Sequence, residues 1–516
     1  MDNVHDYIIV GAGPGGLQMG YFMEKSGEDY LILDAAVNAC SFFEQYPRHR
    51  KLLSINKVCT GHDDPELNFR YDWNSLICDD EAMLFKNYSK RFFPAADDLV
   101  RYMKDFAEHY NLKIRFNTKV TMVTKKDGIF TLDDQNGNQL RCRNLLVGTG
   151  VAKEYIPTDI PGVEHAEPYS VMNLNPDDYY NQRVLVIGKG NSAFEIADSL
   201  IETTASIHLT SPEPLQLAWK SHHVGHLRAV NNNFLDTYLL KSQNGLLEAR
   251  ISQIERLENG KFRVNFNLTR AHGATCQYDY DKVILSTGFL FDNSWFHEDC
   301  RPQLSYGRFP TMTSEWESTN TENMYFIGTV MQMRDFKRTQ SSFIHGFRYN
   351  IRSLHKILRL KNVGEAWPSL KLDYSVAAIR EKILDRLNRS SALWHQPKFF
   401  CDVFVVAKDR KTVAYYDELS YDYLLDSSFS KEEDYFKISL EYGPDHPDFP
   451  FEFDRHAEAD KAELNPQLHP IIRRYRGSEM LAEHHVLEEL EGSWVDDIFV
   501  QPLHDFLTEQ LEPVTA

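Results

Sequence analysis

Two short stretches have the glycine spacing that lets a backbone close around a phosphate. The first is DYIIVGAGPGGLQMG, where Gly11, Gly13 and Gly16 follow a β-branched run. Gly11 permits the tight turn, Gly13 lets the backbone approach a pyrophosphate, and Gly16 lets the next helix pack close to the strand. The N-terminus of that helix offers free N–H groups and a positive dipole end. A second apolar run, DYLILDA, ends in Asp34, an acid placed to accept hydrogen bonds from a ribose hydroxyl. Gly11, Gly13, Pro14, Gly16 and Asp34 therefore read as one dinucleotide site.

VLVIGKGNSAFEIA repeats the pattern with Gly188, Gly190 and Ala193 at the third position, and Asn191 and Ser192 stand between the last two in the turn-to-helix step. The strand after it, SIHLTS, ends in Thr210 and Ser211 instead of an acid. An acid there would repel a 2′-phosphate, so its absence permits NADPH, with NADH still open. Lys220, His222, His223 and Arg228 lie downstream and are candidates for the positive charge. Two such sites imply two cofactors: FAD retained at the first, and a nicotinamide that binds at the second, gives a hydride and leaves.

These sites need strands and helices to hold them. LLVGTG (145–150), VILSTGF (283–289) and NMYFIGT (323–329) each read as a strand returning to the cofactors, which assigns Gly150, Gly288 and Gly328 to cofactor contact. SSFIHGFRYNIRSLHKIL (341–358) reads as a helix whose start, with Ser342 and Phe343, faces the flavin's pyrimidine edge. Its dipole there would stabilise an anionic reduced flavin. His345 on this helix reads first as a packed residue and second as a functional one. The basic run PRHRK (47–51) places Arg48 near the cofactor or substrate. The fold class is α/β, with two Rossmann-like, three-layer dinucleotide-binding domains and a C-terminal α+β appendage. The expected order is an FAD domain over 1–170, an inserted NAD(P)H domain over 171–290, the rest of the FAD domain over 291–368, and the appendage over 369–516. In the last part, KFFCDVFVVAK and KEEDYFKISLEYG read as strands, and AEHHVLEELEG and DDIFVQPLHDFLTEQLE as helical stretches.

A chain of 516 residues suits two or three domains. Its formal charge of -19 makes it a poor general binder of nucleic acid or anionic membrane. It has no run of about 18 apolar residues. The first residues enter a strand without a secretory signal and the last ones carry no retention or prenylation motif, so the expectation is a cytoplasmic protein. Its seven cysteines are scattered without a C-x-x-C pair, which leaves reduced thiols and no metal site as the expectation. A small-molecule substrate and oxygen are the expected partners, and a homodimer stays open.

GAGPGG, FPAADDLVRYMKDFAEHYNLKIRFNTKV, GKGNSAFEIA and LSTGFLFDNSWF together resemble the flavin-containing monooxygenase superfamily over residues 6 to about 360. SFFEQYPRHRKLLSINK, YDWNSL, NNNFLDTYLLKS and FIHGFRY resemble more closely the FAD-dependent oxidoreductase domain-containing protein 2 group, the ER flavoprotein associated with degradation. That similarity continues through EYG and LHPII to about residue 507. In the monooxygenases an asparagine beside the flavin assists oxygen chemistry, and the resemblance places Asn56 of LLSINK in that catalytic role. It implies NADPH-dependent hydroxylation of a small molecule through a flavin C4a-hydroperoxide, at nitrogen (an amine or amino acid) or at sulfur. The signature F-x-G-x-x-x-H-x-x-x-F/W is absent from IPGVEHAEPYSVM. This keeps two alternatives open: a flavin reductase or oxidase without oxygen insertion, and a flavin-bearing interaction module like the ER relative.

Overall fold

The computed structural model describes residues 4–447, 449 and 451–511. Three sheets organise the chain. In the first, Ile114–Arg115, Tyr30–Leu33, Val4–Val10 and Gln139–Val147 run parallel in that order, and Met324–Phe326 adds a further parallel partner to Gln139–Val147. The antiparallel strands Ile129–Asp134 and Val120–Lys126 extend the same sheet. Ile8, Ile9, Leu145 and Leu146 are wholly buried. That follows from their unbroken apolar runs, because a parallel strand is covered on both faces.

The second sheet repeats this plan. Glu167–Pro168, Lys282–Leu285, Arg183–Ile187, Ser206–Ser211 and Gly245–Arg256 are parallel neighbours. Phe262–Leu268 and Thr275–Tyr280 continue it antiparallel. Each glycine turn therefore sits at the carboxyl end of a central parallel strand, with a helix, Pro14–Ser26 or Asn191–Leu200, directly behind it.

The third sheet is wholly antiparallel: Leu370–Asp373, Thr412–Ser420, Phe400–Val406, Tyr435–Tyr442, Leu468–Arg476 and Glu479–His485. Here one expectation is corrected. No part of AEHHVLEELEG is helix: its first four residues belong to the strand Glu479–His485 and the rest is irregular. Gly477, at φ 56°, turns the chain so that Glu479–His485 pairs with Leu468–Arg476. Strand pairing overrides the helical preference of Glu, Leu and Ala at an edge. The last stretch does form a helix, Asp497–Leu511.

This C-terminal unit shares one continuous apolar core with the first sheet. The helix Ile344–Val363 lies between them, and its Arg352 and Lys356 pair with Glu418 and Asp417 of the third sheet. Arg70, from the loops of the first unit, donates to the carbonyls of Leu387, Ser390 and Gly492. No described helix is long and apolar enough to cross a membrane.

Candidate functional site

A cavity of about 610 Å³ opens at the first glycine turn. Gly11, Gly13, Pro14, Asp34, Gly150, Gly328, Ser342 and Phe343 line it. A Cβ on Gly13 would meet no atom within 4 Å, whereas one on Gly15 would lie 2.7 Å from the Gly328 Cα. The turn is thus open toward the cavity and closed against the returning strand. Gly16 is not on the wall; a Cβ there would stand 1.9 Å from the Gly11 carbonyl oxygen, so its work is close packing of helix on strand.

The helix Pro14–Ser26 has no side-chain cap, which leaves its first N–H groups for a phosphate. The Asp34 carboxylate accepts the Ala12 N–H at 2.6 Å and the Ala36 N–H at 2.8 Å. Burial pushes its pKa up, against the pull of those two donors. Each oxygen keeps a lone pair for a ribose hydroxyl. At the far end the wall becomes apolar, with Leu53, Trp73, Phe343 and Phe347. The uncapped start of Ile344–Val363 and the unpartnered Ser342 hydroxyl also reach this end. An uncapped phosphate turn, a ribose acceptor and an aromatic chamber fit FAD.

The second cavity, about 800 Å³, is lined by Gly188, Gly190, Asn191, Ser192, Ser211 and Gly288. Gly188 has φ 136°, and a Cβ there would stand 2.1 Å from the Ser286 carbonyl oxygen. The helix Asn191–Leu200 is likewise uncapped. Asn191 turns its side chain to a loop: Nδ2 donates to the Gly225 and His226 carbonyls and Oδ1 accepts the Arg228 N–H. Three cations line this cavity that the sequence reading missed: Lys189, Arg250 and Arg308. Lys189 Nζ and Arg308 Nε are buried without a partner. Desolvation lowers the pKa of both, and Glu248 and Glu213 partly offset this for Lys189. The lysine between two motif glycines was a usable signal; Arg308 lies more than a hundred residues downstream and had none.

Three assignments are corrected. Asn56 lies off both cavities: its amide donates to the carbonyls of Ser89 and Arg91, and its backbone bridges to Asp72. Leu53 and Ser54 of the same segment face the cavity instead. Arg48 also lies off both walls, its guanidinium donating to the Met172 carbonyl. Only its backbone N–H reaches the site, donating to the Tyr169 hydroxyl at 3.0 Å. Lys220 donates to the Pro447 carbonyl, and neighbouring His222 stacks on Tyr442, so both serve the contact with the C-terminal unit.

Leu53, Tyr169, Ser192, Phe289 and Phe343 belong to both walls, so the two cavities meet there. Tyr169 secures this junction by donating to Glu195 Oε2 at 2.9 Å.

The sequence profile of a family described as pyridine nucleotide-disulphide oxidoreductase matches residues 8–328. The chain is 34% identical over 563 residues to FAD-dependent oxidoreductase domain-containing protein 2 of Mus musculus, covering 98% of this chain and 84% of that protein. A bacillithiol disulfide reductase from Staphylococcus aureus superposes with a TM-score of 0.52 at 18% identity, covering 70% of this chain and 100% of that one. A flavin-containing monooxygenase from Stenotrophomonas maltophilia gives 0.52 at 20% identity, covering 69% and 98%. Reductase and oxygenase share the fold equally, so the fold alone does not choose between their chemistries.

Proposed function

The chain belongs to the pyridine nucleotide-disulphide oxidoreductase family, and from that premise we propose that it is an FAD-dependent, NAD(P)H-consuming monooxygenase acting on a small molecule at nitrogen or sulfur. The observation that carries the reading is the junction. Five residues, Leu53, Tyr169, Ser192, Phe289 and Phe343, wall both cavities, so a nicotinamide and a flavin in them would meet without crossing solvent.

In this reading the Pro14 and Asn191 helix starts hold the two pyrophosphates, Asp34 holds the flavin-side adenosine ribose, and Lys189 with Ser211 receives the nicotinamide cofactor's adenosine end. The chemistry a bound FAD would supply there is acceptance of a hydride from the nicotinamide and onward electron transfer. Leu53, Trp73, Phe343 and Phe347 keep the flavin end apolar and exclude water, which an oxygenase needs. Ser342 offers a hydroxyl to a polar edge in that chamber.

Thiol chemistry is the competing use of this fold. Cys40 lies on the flavin cavity wall. Burial pushes its thiol well above the ordinary range, and the charges of Glu44 and Asp34 push the same way. A thiol held protonated is a poor nucleophile, which favours oxygen over a disulfide as acceptor. The reductase or oxidase alternative draws its support from Asn56, whose amide is taken up away from the cavity.

One experiment separates the two. The holoenzyme is reduced anaerobically with NADPH or NADH, then given isotopically labelled oxygen gas with a panel of amines and thioethers. Label in a product supports oxygenation. Stoichiometric hydrogen peroxide with no labelled product from any compound would refute it in favour of the oxidase, and failure of both nicotinamides to bleach the flavin would refute both.

A further inference from the structure

Three parts of the chain meet at His222. Its carbonyl accepts Gln340 Nε2 at 2.9 Å, from the segment that leads into the flavin-side helix Ile344–Val363. Its ring stacks on Tyr442, at the end of the strand Tyr435–Tyr442 in the C-terminal unit, with centroids 3.8 Å apart and planes 20° apart. The residue itself belongs to a loop of the nicotinamide-side unit, closed at its base by the bridge between Leu217 and Leu227. Gly225 and His226 of this loop accept from Asn191 Nδ2, and Gly225 lines the second cavity. A line of direct contacts therefore runs from Tyr442 to the start of the helix behind the second glycine turn.

The contact is wider than one ring pair. Lys220 Nζ donates to the Pro447 carbonyl at 3.1 Å, Trp219 stands 5.3 Å from Phe451, and Phe449 stands 5.0 Å from His222. Gln340 is held from the C-terminal side as well, donating its N–H to Gln396 Oε1 at 3.1 Å. Burial lowers the pKa of His222, against the opposing charge of Asp445, so a neutral ring makes the stack.

The cores show what such a contact does. The FAD unit and the C-terminal unit share one apolar core, so the two form one body. The nicotinamide-side unit packs around two cores of its own, into which the FAD unit sends Tyr46. The chain enters and leaves that unit through one short pair of strands, Lys153–Glu154 and Phe289–Leu290. Units joined in this way turn against each other unless a further contact holds them. Hydride transfer tolerates little of that motion, because the reacting atoms must lie about 3–3.5 Å apart.

We propose that the C-terminal unit braces the nicotinamide-side unit through the stack of His222 on Tyr442, making these two positioning residues for hydride transfer to the flavin. The inference rests on the flavin reading above and gives the C-terminal unit a part in it. The brace acts on the orientation of the unit and leaves the phosphate contacts in place. Loosening it lowers the rate at saturating nicotinamide and spares the half-saturating concentration.

The test uses the full-length holoenzyme. Anaerobic flavin reduction is followed at varied NADPH and NADH, and amide hydrogen exchange is followed at the linker strands Lys153–Glu154 and Phe289–Leu290. Y442A combined with K220Q lowers the limiting reduction rate about fivefold or more, keeps the half-saturating concentration within about twofold, and speeds exchange at the linker. Y442F in place of Y442A keeps the stack and recovers the limiting rate. K408Q, at an exposed lysine of the same unit, changes neither readout. FAD content and thermal midpoint confirm that each variant is folded. F451A with K220Q, both at exposed side chains, carries the same expectation should Y442A lower either. An unchanged limiting rate, a loss confined to the half-saturating concentration, or unchanged exchange at the linker would overturn the proposal. If neither nicotinamide reduces the wild-type flavin, the oxidoreductase reading falls, and exchange at the linker by itself decides whether the brace exists.

Discussion

Replacing Lys189 by glutamine should separate NADPH from NADH. Its ammonium lies on the second cavity wall with no hydrogen-bond partner, and its nearest charges are Glu248, Glu213 and Arg270. Ser211 ends the strand Ser206–Ser211, and Pro212 and Glu213 follow it on the same cavity wall. In the proposed reading that strand end receives the adenosine ribose, and Lys189, with Arg250 and Arg308, is a cation available to a 2′-phosphate. A hydrogen bond to a charged group contributes about 1.5–3 kcal/mol. Lys189 is only partly buried, so the low end applies, and about 1.4 kcal/mol per decade makes this about tenfold in affinity. The assay is anaerobic flavin reduction at varied NADPH and NADH. K189Q should raise the NADPH concentration for half-maximal rate about tenfold and leave NADH and the limiting rate nearly unchanged. The pH dependence has a definite sign. Desolvation lowers the Lys189 pKa, so its charge is lost earlier than that of a free lysine as pH rises. NADPH binding should weaken on the alkaline side in wild type, and K189Q should lack that limb. Equal losses for both nicotinamides would refute this reasoning, placing Lys189 at the shared pyrophosphate; no loss for either would remove it from the site.

Gly16→Ala would push a methyl to 1.9 Å from the Gly11 carbonyl oxygen, forcing the helix off the strand at about 1–3 kcal/mol; the purified variant should carry less FAD and melt earlier, and full flavin content with an unchanged midpoint would contradict the packing role. Burial alone would raise the pKa of Glu28, but hydrogen bonds from His355 and Ser26 and the charge of Arg359 hold it below the ordinary value. A depressed carboxyl stabilises above its unfolded pKa and loses that contribution as pH falls through the folded one. E28Q should therefore be about 1–3 kcal/mol less stable in urea at pH 7, with the gap closing below about pH 4; a gap independent of pH would show that the charge is irrelevant.

The two glycine turns were legible because their information is local. A φ of 110° at Gly11 or 136° at Gly188 is a demand that a few neighbouring residues state on their own, and the apolar runs before them declare buried parallel strands. The repeated strand–turn–helix plan and the returning strands at Gly150, Gly288 and Gly328 followed from the same local grammar. Side-chain direction in irregular segments is a different matter. Leu53 and Ser54 face the cavity while Asn56, two residues on, faces the carbonyls of Ser89 and Arg91, because its backbone is bridged to Asp72. Lys220 and Arg48 failed as cofactor ligands for the same reason: a basic residue in a connecting segment says nothing about which carbonyl its long flexible side chain will reach. Glu479–His485 became a strand only because Leu468–Arg476 was there to pair with it. The junction is tertiary throughout. Leu53, Tyr169, Ser192, Phe289 and Phe343 come from five separate segments, and Arg228 meets Trp73 only after the fold has brought two units together. Backbone geometry at a turn is decided over a few residues, whereas the walls of a chamber are decided by packing across hundreds.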